Sequence, residues 1–155
     1  MKTAFTLLLA LAGVLPAAHA QDVTAGSKKV AMCIGCHGIP GYQASFPEVH
    51  KVPMIAGQDA KYIAAALNGY RKGDRKHPTM RSIALSMTDQ DIADVSAFYA
   101  QQGKTDAALP DAPPTPHPAV AALLTRGACA SCHGANYSKP IDGSYPKIAG
   151  QHADY

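Results

Sequence analysis

Cys33-Ile34-Gly35-Cys36-His37 is the stretch that decides how this chain is read, and Cys129-Ala130-Ser131-Cys132-His133 repeats its pattern. Two thiols separated by two residues lie on one side of a helical turn. There both can add to the vinyl groups of one porphyrin, and the histidine that follows faces the iron. A zinc half-site or a redox disulfide also uses C-x-x-C, but neither requires a histidine directly after the second cysteine in both copies. Thiol oxidoreductases also place such a pair at the start of a helix in a strand-helix fold, and no strong strand pattern lies near either motif. All four cysteines are consumed in this way, so the sequence predicts two covalently attached haems.

Covalent attachment requires an export route. Lys2 followed by the apolar run Ala4 to Val14 and the small-x-small triplet Ala18-His19-Ala20 reads as a cleaved leader over residues 1–20. That run is too short to span a bilayer as a retained anchor, and the expected compartment is a bacterial periplasm. Elsewhere no long apolar stretch interrupts the chain, so stable membrane insertion is not expected. The formal net charge of +3 is too small to argue for nucleic acid. Lys61, Arg71, Lys72, Arg75, Lys76 and Arg81 form one basic region, read either as a solvated face or as a docking patch.

Around the first motif the pattern is helical. Asp22 to Met32 predicts a short helix with Val30, Ala31 and Cys33 turned inward, and Gly26 permits close approach of another helix. Glycines and prolines from Gly38 to Pro53 predict a loop that wraps a cofactor. Ala60 to Arg71 is the next helix, with Tyr62, Ile63, Ala66, Leu67 and Tyr70 on one face and Gly73 closing it. Lys76-His77-Pro78-Thr79-Met80 reads as a polar loop whose methionine belongs to no apolar stripe. With haem implied, Met80 is the preferred second axial ligand, because a thioether opposite histidine raises the reduction potential. Met87 is the rival, although its place before Thr88-Asp89-Gln90-Asp91 suits a hydrophobic staple. His77 and His50 rank below both. Thr88 opens a last helix with Ile92, Val95, Ala97, Phe98 and Tyr99 inward, expected to cross the first helix near Gly26. These elements define a haem domain at residues 21–104.

Residues 105–118 are proline-rich and predict a semi-rigid connector. From residue 119 the pattern restarts: Ala119 to Arg126 is helical, the second motif follows, and Pro146-Lys147-Ile148-Ala149-Gly150-Gln151-His152-Ala153-Asp154-Tyr155 repeats Pro53-Met54-Ile55-Ala56-Gly57-Gln58-Asp59-Ala60-Lys61-Tyr62. The stretch from His37 to Met80 is far longer than everything after His133, and no methionine follows Met87. Residues 119–155 are therefore expected to be the start of a truncated second domain, lacking its distal ligand and its later helices. The alternatives are ligation of the second iron by His152, or an open five-coordinate haem.

The paired C-x-x-C-H motifs, the repeated P-x-I-A-G-Q-x-A-x-Y block, and Met80-Arg81-Ser82-Ile83-Ala84 with Thr88-Asp89-Gln90-Asp91-Ile92-Ala93 resemble the dihaem cytochrome c4 family of class I c-type cytochromes. The resemblance covers the first unit throughout and the second as far as Tyr155. It implies an all-α class I cytochrome c fold in two tandem haem domains joined by the proline-rich linker, the second incomplete. It further implies haem c on Cys33 and Cys36 with His37 and Met80 as axial ligands, and a second haem c on Cys129 and Cys132 with His133. By the same resemblance the carbonyls of Pro53 and Pro146 orient the two proximal histidines.

A His/Met iron has no open site, so the expected role is one-electron transfer with no catalytic residue. The resemblance implies a periplasmic carrier between a quinol-oxidising cytochrome bc complex and a terminal oxidase or another acceptor. A tightly bound cytochrome subunit of a periplasmic dehydrogenase is the alternative, with a dihaem peroxidase or a gas-binding sensor behind it.

Overall fold

The computed structural model describes residues 20–44, 50–103 and 113–155. Most of the expected leader and the greater part of the connector lie outside these residues. Seven helices and one small hairpin make up the described chain. No helix among the described residues is long and apolar enough to cross a membrane.

The first helix is not the continuous segment that periodicity suggests. Helix α1 spans Val23–Ser27 and is capped by Asp22, whose carboxylate accepts from the N–H groups of Thr24 and Ala25. The chain then breaks at Lys28 and Lys29 and restarts as α2, Ala31–His37, which carries the first motif. This break turns Val30 fully inward, at 1% exposure, and leaves Ala31 exposed. After His37, Gln43–Ala44 (β1) and His50–Lys51 (β2) pair antiparallel.

Helix α3, Ala60–Lys72, ends at Gly73 with φ +88°, where the left-handed conformation lets its N–H reach the carbonyls of Gly69 and Tyr70. Helix α4, Pro78–Leu85, corrects the sequence reading, which placed Met80 in a loop. Pro78 occupies the first helical position, where its missing N–H costs nothing. The His77 ring Nδ1 accepts from the Met80 N–H at 3.3 Å. Helix α5, Asp89–Gln101, starts from a reciprocal capping box between Thr88 and Asp91.

These helices share one core of Val30, Ile63, Leu67, Ala84, Ile92, Val95 and Tyr99. Burying aliphatic side chains of this kind contributes about 1.5–3 kcal/mol each. Helix α1 crosses α5 at Gly26, where a Cβ would overlap the Asp94 carbonyl and lie 2.9 Å from the Phe98 Cβ. The crossing is pinned by Asp94, itself 2% exposed. Its carboxylate accepts from the Asp22 N–H at 3.0 Å, the Lys29 ammonium at 2.8 Å and the Gln90 amide at 2.7 Å. Lys29 also reaches Asp91 at 2.7 Å.

The second unit is described as far as Tyr155. Helix α6, Pro118–Arg126, and the single turn α7, Ala130–His133, are its only helices among the described residues. No apolar side chain of this unit is among the buried ones, whereas Asn136 and Ser138 are buried.

Gly26→Ala is expected to destabilise the first unit by about 1–3 kcal/mol through overpacking, read from denaturant unfolding. Lys29 first, then the Asp22 N–H, hold the Asp94 carboxyl below its usual range. A depressed carboxylate stabilises the fold above its unfolded pKa and loses that contribution as pH falls through the folded one. Asp94→Asn is therefore expected to lower the melting temperature at neutral pH, with the gap to wild type closing in acid.

Candidate functional site

One turn of α2 presents Cys33, Cys36 and His37 to a cavity of about 730 Å³, a size suited to a large planar cofactor. Its far side is built by the predicted apolar face of α3, where Tyr62, Ile63, Ala66, Leu67 and Tyr70 all line the cavity. Met80 and Met87 both border it and both pack on the core. Helix α4 carries Met80 to the cavity, and Met87 reaches it from the connection between α4 and α5.

The proximal histidine is held at a defined atom. His37 Nδ1 lies 2.8 Å from the Pro53 carbonyl, so the Nδ1–H donates there and Nε2 is the nitrogen left for a metal. Burial, against the pull of the Pro53 carbonyl, keeps the imidazole below its usual pKa, and a neutral ring is the form that binds iron. His133 Nδ1 makes the same bond to the Pro146 carbonyl, also at 2.8 Å. The two sequence repeats therefore adopt the same local geometry around their histidines.

No disulfide joins any of the four cysteines. Burial first, then the neighbouring Cys36, push the Cys33 thiol up, which is the reverse of what a thiolate-based redox centre requires. Among the described residues no three His, Cys, Asp or Glu side chains gather as a metal-holding cluster, so the two C-x-x-C pairs do not form a shared zinc site. Tyr99 is 6% exposed and its hydroxyl meets no partner of ordinary hydrogen-bond geometry. Burial, and then the Cys33 thiol, push its pKa up to about 12. A neutral, buried hydroxyl beside the Cys33 thiol in an apolar cavity fits a site shaped for a bulky prosthetic group.

The other wall of the cavity comes from the second unit. Pro146, Lys147, Ile148, Gln151, His152 and Tyr155 all line it. The repeated blocks face one another and exchange hydrogen bonds. Gln58 Nε2 donates to the Lys147 carbonyl at 3.0 Å while its Oε1 accepts from the Lys147 N–H at 2.9 Å. Gln151 Nε2 donates to the Met54 carbonyl and its Oε1 accepts from the Met54 N–H, both at 3.0 Å. Lys61 pairs with Asp142 at 2.8 Å and the Lys51 N–H donates to Asp154 at 2.9 Å.

Sequence reading found the repeat but not this pairing, since nothing in a repeated glutamine says that its partner lies in the other copy. The basic region also resolves differently from a single patch. Lys61 and Arg71 are tied to Asp142 and Asp89. Arg75 turns to the cavity and donates to the hydroxyls of Tyr62, Tyr70 and Tyr155 at 3.2, 3.1 and 2.9 Å. His152 also borders the cavity.

Comparison with known proteins agrees with this geometry. The cytochrome c family model matches residues 23–102. Cytochrome c4 of Azotobacter vinelandii is 32% identical over 99% of this chain and 78% of that protein. A thiosulfate dehydrogenase electron acceptor of Stutzerimonas stutzeri is 31% identical over 84% of this chain and 62% of that protein. The crystal structure of reduced cytochrome c4 from Pseudomonas stutzeri superposes with a TM-score of 0.61 at 30% identity, covering 88% of this chain and 76% of its own.

The expected all-α class I cytochrome c fold is thus the fold observed, its first unit being a domain that carries covalently bound haem c. With C-x-x-C-H repeated and each imidazole held by a proline carbonyl, the chain belongs to the cytochrome c4 family of electron-carrying cytochromes.

Proposed function

We propose that this chain carries two haem c groups and passes single electrons in the periplasm, the second unit loading a haem as the first does. The observation that supports it is the matched pair of proximal sites: C-x-x-C-H followed by an Nδ1–H bond to a proline carbonyl, made at 2.8 Å in both repeats. Cys33 and Cys36 would attach the first haem and Cys129 and Cys132 the second, with His37 and His133 as proximal ligands. Bound haem supplies reversible one-electron chemistry at iron. The protein's part is to fix ring orientation through Pro53 and Pro146, to exclude water with the α3 face, and to set the potential.

Met80 is the proposed distal ligand of the first haem. It lies on the wall of the cavity that also holds His37, and its N–H is fixed by His77. Met87 sits directly before the Thr88 cap, where packing on the core gives it a sufficient role as a staple. We assign residues 1–20 to an export leader, 21–104 and 119–155 to the two haem units and 105–118 to the linker.

The partners proposed are redox proteins: a cytochrome bc complex as donor and a terminal oxidase as acceptor, with a periplasmic dehydrogenase as the second reading. The relative from Stutzerimonas stutzeri named as a thiosulfate dehydrogenase electron acceptor favours keeping that second reading.

Material made in a host competent for cytochrome maturation is expected to have lost residues 1–20, to carry two added haem masses, and to leave no thiol open to alkylation; mass spectrometry checks all three. A polypeptide of unmodified mass overturns the proposal. Met80→Ala is expected to abolish the thioether-to-iron charge-transfer absorption and to lower the first haem's midpoint potential, while Met87→Ala leaves both in place. The opposite pattern transfers the ligand role to Met87.

A further inference from the structure

The carbonyl of Pro53 and the N–H of Met54 are the two ends of one planar amide. Both ends are engaged. His37 Nδ1–H donates to the oxygen at 2.8 Å, and the Met54 N–H donates to Gln151 Oε1 of the other unit at 3.0 Å. The amide of Pro146 and Lys147 is gripped in the same manner, by His133 at 2.8 Å and by Gln58 Oε1 at 2.9 Å. Two hydrogen-bonded chains therefore cross between the units, each running from a glutamine through a peptide group to the opposite proximal imidazole.

The orientation of each glutamine amide is settled by its neighbours. Gln58 Oε1 also accepts from the Asp59 N–H at 3.1 Å, and Gln151 Oε1 from the His152 N–H at 3.0 Å. The Nε2 groups donate to the Lys147 and Met54 carbonyls. A flipped amide would oppose two donors to an NH₂ group and a carbonyl to a carbonyl oxygen. Gln58 is buried, at 6% exposure, so its bonds do not compete with bulk water.

We infer that Gln58 and Gln151 are positioning residues acting across the two units, each tuning the axial imidazole of the unit to which it does not belong. An acceptor on an amide N–H polarises the amide and strengthens its carbonyl as an acceptor, an increment of about 10–30% per bond. A stronger carbonyl draws the imidazole Nδ1–H more firmly and makes the ring a more basic ligand. A more basic ligand favours ferric iron, so each glutamine holds the opposite haem's potential down. The short path through a single peptide group sets this apart from a general packing effect, which would act on both units alike.

This inference rests on the haem ligation proposed above, and its test keeps the two apart. Haem-loaded wild type, Gln151→Leu, Gln58→Leu and the corresponding Glu variants are compared by spectroelectrochemistry, with each haem assigned by its own spectrum. Gln151→Leu should raise the midpoint of the His37 haem more than that of the His133 haem, and Gln58→Leu should do the reverse. The Glu variants retain an acceptor, now charged, and should shift the same opposite haem downward. Proton NMR of the imidazole Nδ1–H should move in the opposite unit with each substitution. Wild type without haem defeats the ligation reading. Haem-loaded variants whose shifts fall in the substituted unit, or are equal in both units, or share one sign for Leu and Glu, defeat the crossed coupling.

Discussion

A proximal imidazole is useful to a metal only if the ring is fixed and neutral: here an Nδ1–H bond to the carbonyl of a proline well downstream fixes the ring, and burial keeps the His37 imidazole neutral against that pull. For the first unit this requires the chain to leave α2, turn through the β1–β2 hairpin and return Pro53 to within 2.8 Å of His37. Proline suits the position because its carbonyl remains a full acceptor while its ring restricts the backbone that carries it. Much of the surrounding architecture serves that return. Helices α3 and α5 close the cavity, and α1 is locked across α5 where Gly26 admits the Asp94 backbone and the Asp94 carboxylate gathers three donors.

The two units meet the same local requirement in different settings. The first buries a core of aliphatic and aromatic side chains from α3, α4 and α5, together with Val30 just ahead of α2. Among the described residues the second has two short helices and exposes apolar side chains such as Leu123, Ile141 and Ile148. Its Pro146–Gln151 turn is held from outside, by Gln58 on the Lys147 peptide and by the Lys147 ammonium on the Gly57 carbonyl at 2.8 Å. The contact between units is thus part of how the second histidine's carbonyl is kept in place. That contact is polar and directional, built from backbone groups that would otherwise be left unpaired near an apolar cavity.

Much of the fold was legible because the deciding signals are local. C-x-x-C-H names its own chemistry, Thr88 to Asp91 spells a capping box, and the α3 stripe repeats at helical spacing. Misreadings arose where local signals compete. His77-Pro78 looked like a loop because proline interrupts helices, yet at the first helical position it begins one, and so Met80 belongs to α4. Asp22 to Met32 read as one helix because periodicity is blind to a short break that reorients Val30 inward and Ala31 outward.

The sequence by itself determined the thiol and histidine chemistry, the duplication, the helical class and the glycine crossing, since each depends on residues close in the chain or on the absence of a side chain. Only tertiary structure decided that the repeats face each other, that Arg75 turns to three tyrosines, and that each glutamine grips the peptide beside the other unit's proline. Those contacts join residues far apart in the chain. Their formation depends on how the two units pack, and no local preference of a glutamine or an arginine encodes that distance.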